Sequence, residues 1–131
     1  LRHMIWLIPV RNGAPQPVTT LEENFWNPVV SPSGRFVMLT APPSESCPKA
    51  PSFVVLEFLE FDESLARVRT FTPADFTGLP EPASVSLEGY LQPQGWENET
   101  GVLASLAWPC TDQPAGVYRL DLTALTAGQI R

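Results

Sequence analysis

Apolar residues along this chain fall in short runs rich in Val, Leu, Phe and Tyr, each broken within a few positions by Pro, Gly, Asn or Asp. Helical spacing, with apolar positions three and four apart, is almost absent. Prolines also recur too often for long helices, because each removes an amide donor and clashes with the turn before it. The runs therefore read as strands separated by turns. Strands are expected over Ile5–Val10, Pro17–Thr20, Pro28–Val30, Arg35–Ala41, Phe53–Phe61, Arg67–Phe71, Tyr90–Gln92, Val102–Trp108 and Val117–Leu122, with a short last piece over Gly128–Arg131. Asn12-Gly13, Ser31-Pro32-Ser33-Gly34 and Asp62–Ser64 supply turns. One segment, Pro73–Phe76, reads as a helical turn: Thr72 is a candidate N-cap, Pro73 suits the first helical position, and Gly78 stops it after about one turn.

The strand order repeats. Pro28–Thr72 runs short strand, turn, strand, loop, strand, turn, strand, and Tyr90–Arg131 runs the same way. Gln94 to Gly101 stands where Ser31–Gly34 stood, Val102–Trp108 matches Arg35–Ala41, and Val117–Leu122 matches Phe53–Phe61. Gln129-Ile130-Arg131 matches Arg67-Val68-Arg69, and Ile5–Val10 with Pro17–Thr20 reads as the second half of an earlier unit. The chain is thus expected to be one all-β repeat domain over residues 1–131, with units near 5–20, 28–72 and 90–131. A four-stranded antiparallel meander recurring at roughly 40–60 residues is the pattern of a β-propeller blade, here about two and a half blades. A β-sandwich or small barrel with as many strands is the competing architecture.

Three segments carry a family resemblance. Ile5-Trp6-Leu7-Ile8-Pro9-Val10, followed by Asn12-Gly13 and Pro17-Val18-Thr19-Thr20, is similar to the end of a TolB-like or WD-like propeller blade. Asn27-Pro28-Val29-Val30-Ser31-Pro32-Ser33-Gly34-Arg35-Phe36-Val37 resembles the element that follows it in that family, where Asp is usual at the place of Ser33. Gly116-Val117-Tyr118-Arg119-Leu120-Asp121-Leu122, then Gly128-Gln129, is the third match. The second unit lacks the Ser-Pro-Asp-Gly turn, and Pro42–Ser52 and Pro73–Leu87 are long for the family. In the turn that is present, Pro32 presets φ and Gly34 can take a positive φ, which lets the chain reverse. The resemblance implies a bacterial protein of the envelope or another extracytoplasmic site that docks other proteins. Closed propellers need about four to eight blades. Such a chain is expected to belong to a longer protein or to self-associate, and His3-Met4, which looks like a cloning remnant, fits a piece cut from something larger.

Composition narrows the function classes. Hydrophobic residues make up 44%, too many for a disordered chain. Net charge is −6, with Lys49 the only lysine, so neither a nucleic acid nor an anionic membrane surface is an expected partner. No apolar run approaches the roughly 18 residues of a membrane span, so no membrane insertion is expected.

Catalytic chemistry is poorly supplied. The single histidine, His3, sits at the terminus, which leaves no Ser-His-Asp or Cys-His set and no His-based zinc site. No Gly-rich phosphate loop occurs, and no cofactor is expected. Glu57 and Glu60 have opposite parity on a strand and so point to opposite faces, and Asp62-Glu63 reads as a solvated turn. Asn98-Glu99-Thr100 fits a glycosylation sequon, which matters only in a eukaryotic secretory setting. By the repeat alignment, Cys47 and Cys110 both follow the second strand of their unit and would emerge on one side of neighbouring blades. A disulfide between them would close a loop of about 60 residues and stabilise by roughly 4 kcal/mol in the chain-entropy model. It would point to an oxidising compartment; two free thiols are the alternative.

Most aromatic residues are expected in the core. Phe25, Trp26 and Trp96 lie next to turns; core packing is the expected role for each, and, since exposed Trp is favoured at interaction hot spots, they are also the candidate partner-binding residues. The function these signals favour is a non-catalytic protein-protein interaction module. The alternatives are an accessory propeller domain of a prolyl-oligopeptidase-like hydrolase, whose Gly-x-Ser-x-Gly elbow would lie elsewhere, and a carbohydrate-binding β-sandwich using Trp26 or Trp96.

Overall fold

The computed structural model describes residues 2–11, 13–20, 23–41, 53–80, 90–107 and 116–131. The fold is all-β. A two-stranded hairpin joins β1 (Trp6–Leu7) to β2 (Gln16–Pro17). Sheet I is an antiparallel meander of β3 (Trp26–Val30), β4 (Phe36–Thr40), β5 (Phe53–Leu59) and β6 (Ser64–Phe71), in that spatial order. Sheet II repeats the meander with β7 (Tyr90–Trp96), β8 (Gly101–Ala107), β9 (Gly116–Asp121) and β10 (Thr126–Gln129). No helix among the described residues is long and apolar enough to cross a membrane.

Local chemistry accounts for where the strands stop. Gly34 has φ +82° and donates its N–H to the Ser31 carbonyl at 2.9 Å, so Ser31-Pro32-Ser33-Gly34 reverses the chain between β3 and β4. The helical turn expected after β6 is a 3-10 turn over Pro73–Asp75, with the Thr72 N–H donating to Asp75 Oδ2 at 2.8 Å. Several boundaries differ from the expectation, four of them with a clear local cause. β1 ends early because Pro9 lies beyond it and its carbonyl accepts the Gly13 N–H at 2.8 Å. β6 begins already at Ser64, since Glu63 takes φ 50° and donates to the Glu60 carbonyl, which moves the turn forward. β7 continues through Pro93 to Trp96, which is possible because β7 is an edge strand and needs no donor there. β10 starts at Thr126, because Asp121 Oδ1 accepts the Thr123 and Ala124 N–H groups and closes the preceding turn.

Side-chain alternation then stacks three layers. On β5, Phe53 and Val55 face sheet II together with Met38 and Phe71, while Val54 and Leu56 face the hairpin together with Phe25, Leu39 and Ala41. Ile5 and Val18 of the hairpin segment cover that second face. A strand buried on both faces reads as a continuous apolar run, and Phe53-Val54-Val55-Leu56 is one. Each such side chain contributes about 1.5–3 kcal/mol on burial. Sheet II supplies Leu91, Val102, Ala104, Leu106, Tyr118 and Leu120 to the core between the sheets.

A few polar contacts tie the sheets together. The Tyr90 hydroxyl donates to the Ala41 carbonyl, and Trp96 Nε1 donates to the Val29 carbonyl at 2.9 Å. The chain leaving sheet I also crosses to β10. There the Thr77 N–H donates to the Leu125 carbonyl at 3.0 Å, and the Ala127 N–H donates to the Thr77 carbonyl at 2.7 Å. Gly78, at φ +98°, lies so close to Ala127 that a Cβ would overlap its carbonyl oxygen.

Candidate binding cleft between the sheets

Two β-bulges shape the space where the sheets diverge. On β7 the register runs Leu91 to Leu106 and Pro93 to Ala104, then shifts so that Gly95 meets Leu103 and Trp96 meets Val102. Gln94 is the extra residue. Strict alternation would put Trp96 on the outer face with Gln92; the bulge turns it inward. Its indole stacks on Phe36 with centroids 6.2 Å apart. On β6 the register shifts between Val55 and Leu56, whose partners are Arg69 and Arg67, so Val68 is the extra residue. Arg69 therefore shares the inter-sheet side with Phe71, its guanidinium 5.2 Å from that ring. Arg67 points the other way, lies over Phe25 and pairs with Glu23 at 2.6 Å.

The result is a cleft of about 610 Å³. Phe36, Val55 and Phe71 of sheet I and Trp96 and Leu122 of sheet II make an apolar floor. Arg35, Val68 and Arg69 stand at one lip, and Glu99, Thr100 and Thr123 at the other. Its size falls in the range of ordinary ligand sites, about 300–1,000 Å³.

The charges are held in place by their neighbours. Arg35 donates Nε and Nη2 to Glu57 Oε2, both at 2.7 Å, and its guanidinium lies 4.9 Å from the Phe36 ring. Arg69 donates Nη2 to Asp75 Oδ1 at 2.9 Å, while the Thr72 N–H fixes the other oxygen of that carboxylate. Glu99 Oε1 accepts the Ser33 N–H at 2.5 Å, whereas Oε2 is buried without a hydrogen-bond partner among the described residues. Desolvation pushes the Glu99 carboxyl up, but the Ser33 N–H, the neighbouring Ser33 and Ser31 hydroxyls and the Arg35 charge outweigh it and hold the group below the usual carboxylate range. This arrangement can seat an apolar body beneath a rim of fixed, paired charges. Among the described residues no group of three or more His, Cys, Asp or Glu side chains is placed to hold a metal.

The candidate residues read from the sequence end up in different places. Trp96 lies in the cleft, half-buried. Trp26, 40% exposed at the start of β3, lies outside it and stacks on His3 with centroids 6.0 Å apart. Phe25 takes the core role rather than the partner-binding one: it is 6% exposed and packs with Leu39, Val54 and Leu56. Asn24 and Asn27, both at positive φ, bracket Phe25 and turn the chain so that its ring points inward. Cys47 and Cys110 lie outside the described residues. Sequence reasoning missed Arg35, Arg69, the place of Glu99 at the cleft and the apolar floor. The available signal was Pro93-Gln94-Gly95 inside a strand pattern, which marks a bulge and hence a change of side for Trp96. No protein-family model, curated protein or solved structure matches this chain.

Proposed function

We propose that this chain is a non-catalytic protein-interaction module of β-propeller type, part of a longer or oligomeric extracytoplasmic assembly, with the inter-sheet cleft as its contact site. The cleft carries the reading, since it combines an apolar aromatic floor with fixed charges at the rim, a composition suited to recognition. The three-layer stack supports the propeller part. Sheet I is buried on both faces, by the hairpin and by sheet II, as blade-on-blade stacking requires and a two-layer sandwich does not. The TolB-like turn at Ser31–Gly34 and the repeated meander support the family assignment.

Two measurements test it. Light scattering on a sizing column should give a defined oligomer or, within the longer parent protein, a closed particle. An isolated chain that stays a stable 14.4 kDa monomer counts against the oligomeric assembly. Repeating the run with reductant asks whether Cys47 and Cys110 hold any oligomer together. Selection from a displayed peptide library should enrich a common motif that competes at the cleft; enrichment of nothing above background would refute the interaction reading. The carbohydrate alternative draws on Trp26, whose ring is already stacked on His3, or on Trp96 in the cleft. A glycan panel followed by Trp fluorescence decides it.

A further inference from the structure

We propose that the turn between β1 and β2 and the turn between β5 and β6 form a second contact surface, which docks a basic, apolar segment of a partner protein. This surface shares no residue with the lining of the inter-sheet cleft and goes beyond the reading above. Val10 and Phe61 stand fully in solvent, each 98% exposed. Each is the first residue inside a hydrogen-bonded turn. The Gly13 N–H donates to the Pro9 carbonyl around Val10, and the Glu63 N–H donates to the Glu60 carbonyl around Phe61. The two turns are tied to each other, since Arg11 Nε lies 3.2 Å from Glu63 Oε1. The hairpin and sheet I are adjacent layers, so both side chains belong to one end of the molecule. Ile8, also exposed, leads into the first turn, and Leu59 leads into the second. Single exposed apolar residues are ordinary on a protein surface, whereas a group of them on adjoining turns points to a contact site.

Charge decides the kind of partner. Glu60 and Asp62, on either side of Phe61, are exposed, and their side chains make no ion pair among the described residues. Arg11, the cation within these two turns, is neutralised by Glu63. Arg35, whose carbonyl accepts the Phe58 N–H, is neutralised by Glu57. An exposed aromatic ring is thus flanked by two uncompensated negative charges. A basic partner meets opposite charge there, while an acidic partner or an anionic membrane is repelled. A second copy of this chain fits poorly. Arg11, Arg35, Arg67, Arg69 and Arg119 are all held in ion pairs, which leaves no cluster of free cations among the described residues to meet Glu60 and Asp62. So exposed, Phe61 adds nothing to either core, and its ring is available to a partner as an anchor.

The test uses the full chain labelled with ¹⁵N and three N-acetylated, C-amidated pentapeptides: Arg-Leu-Arg-Leu-Arg, Glu-Leu-Glu-Leu-Glu and Arg-Ser-Arg-Ser-Arg. The first should shift the amides of Val10, Arg11, Phe61 and Asp62 at millimolar concentration. Each of the other two should bind at least about tenfold more weakly. Val10→Ser combined with Phe61→Ser changes only exposed side chains, so it should leave the rest of the spectrum unchanged and weaken the first peptide about tenfold or more. Glu60→Gln combined with Asp62→Asn should weaken it toward the level of the acidic peptide. Equal shifts from the two basic peptides would reduce the effect to bulk charge and overturn the proposal, as would the absence of shifts at these four amides. Cosedimentation with phosphatidylcholine vesicles that depends on Phe61 would overturn it in favour of a membrane. Shifts confined to the Trp96 indole and the cleft amides would overturn it while supporting the cleft as the contact site.

Discussion

Replacing Gly78 by alanine probes the contact between the crossing chain and β10, and the structure supplies its own control. Gly78 sits at φ +98°, and its added Cβ would overlap the Ala127 carbonyl oxygen. Gly34 sits at φ +82° with nothing within 4 Å of the added atom. Both substitutions force an L-residue into a left-handed conformation, at about 1–2 kcal/mol. Both also gain a few tenths to about 1 kcal/mol from the stiffer unfolded chain. Those contributions cancel in the comparison. What remains for Gly78→Ala is displacement of Thr77 from β10 and loss of the two hydrogen bonds that hold it, to the Leu125 carbonyl and from the Ala127 N–H. At about 0.5–1.5 kcal/mol each, plus the shift of packed backbone, Gly78→Ala should be roughly 1–3 kcal/mol worse than Gly34→Ala. Urea denaturation followed by circular dichroism measures the difference. Hydrogen exchange should show the Ala127 amide losing protection in Gly78→Ala alone. Equal stability of the two variants would refute the close approach at Thr77.

Two substitutions and a deletion test the sheet-to-sheet contacts and the bulge. Burial pushes the Tyr90 hydroxyl up to about 12, so the unfolded chain ionises first; this contribution is intact below about pH 10 and is lost as pH rises toward about 12, at most about 2–3 kcal/mol. Tyr90→Phe should be less stable than the parent near neutral pH, and urea midpoints should show the gap closing as pH approaches 12. Trp96→Phe removes the donor to the Val29 carbonyl and should destabilise by about 1–3 kcal/mol, read from the thermal midpoint. Deleting Gln94 restores strict alternation in β7 and should turn Trp96 to the outer face; with Trp6, Trp26 and Trp108 replaced by Phe, its emission should shift to the red, and unchanged emission would contradict the bulge assignment.

The architecture was largely legible in the sequence because strand alternation and turn chemistry are local. The turn at Ser31–Gly34, the apolar run that starts at Phe53 and the cap at Thr72 each announce their element within a few residues. The cleft was not legible, for a reason that is also local. An extra residue inside a strand changes the side of everything after it, and nothing at Trp96 or Arg69 themselves shows that such a residue precedes them. Phe25 illustrates the same blindness: adjacency to a turn left both a core and an exposed role open, and the asparagines at positive φ on either side of Phe25-Trp26 decided its direction. Pairs such as Arg35 with Glu57, and Glu99 with Ser33, depend on register and on sheet docking, which no short window contains.

The polar contacts that join the sheets have a kinetic consequence. Within each sheet every strand pairs with its neighbour in sequence, so connections of at most 12 residues close each meander. The contacts between sheets span far more chain: 49 residues for Tyr90 to Ala41, 66 for Ser33 to Glu99 and 67 for Trp96 to Val29. Closing such loops is entropically slower, so the meanders are expected to form first and to dock afterwards. The cleft, whose walls belong to both sheets, then comes into existence only in the docking step. An occupant that touches both walls should leave the folding limb of a chevron plot where it is and lower the unfolding limb, lengthening the life of the docked state without hastening its arrival.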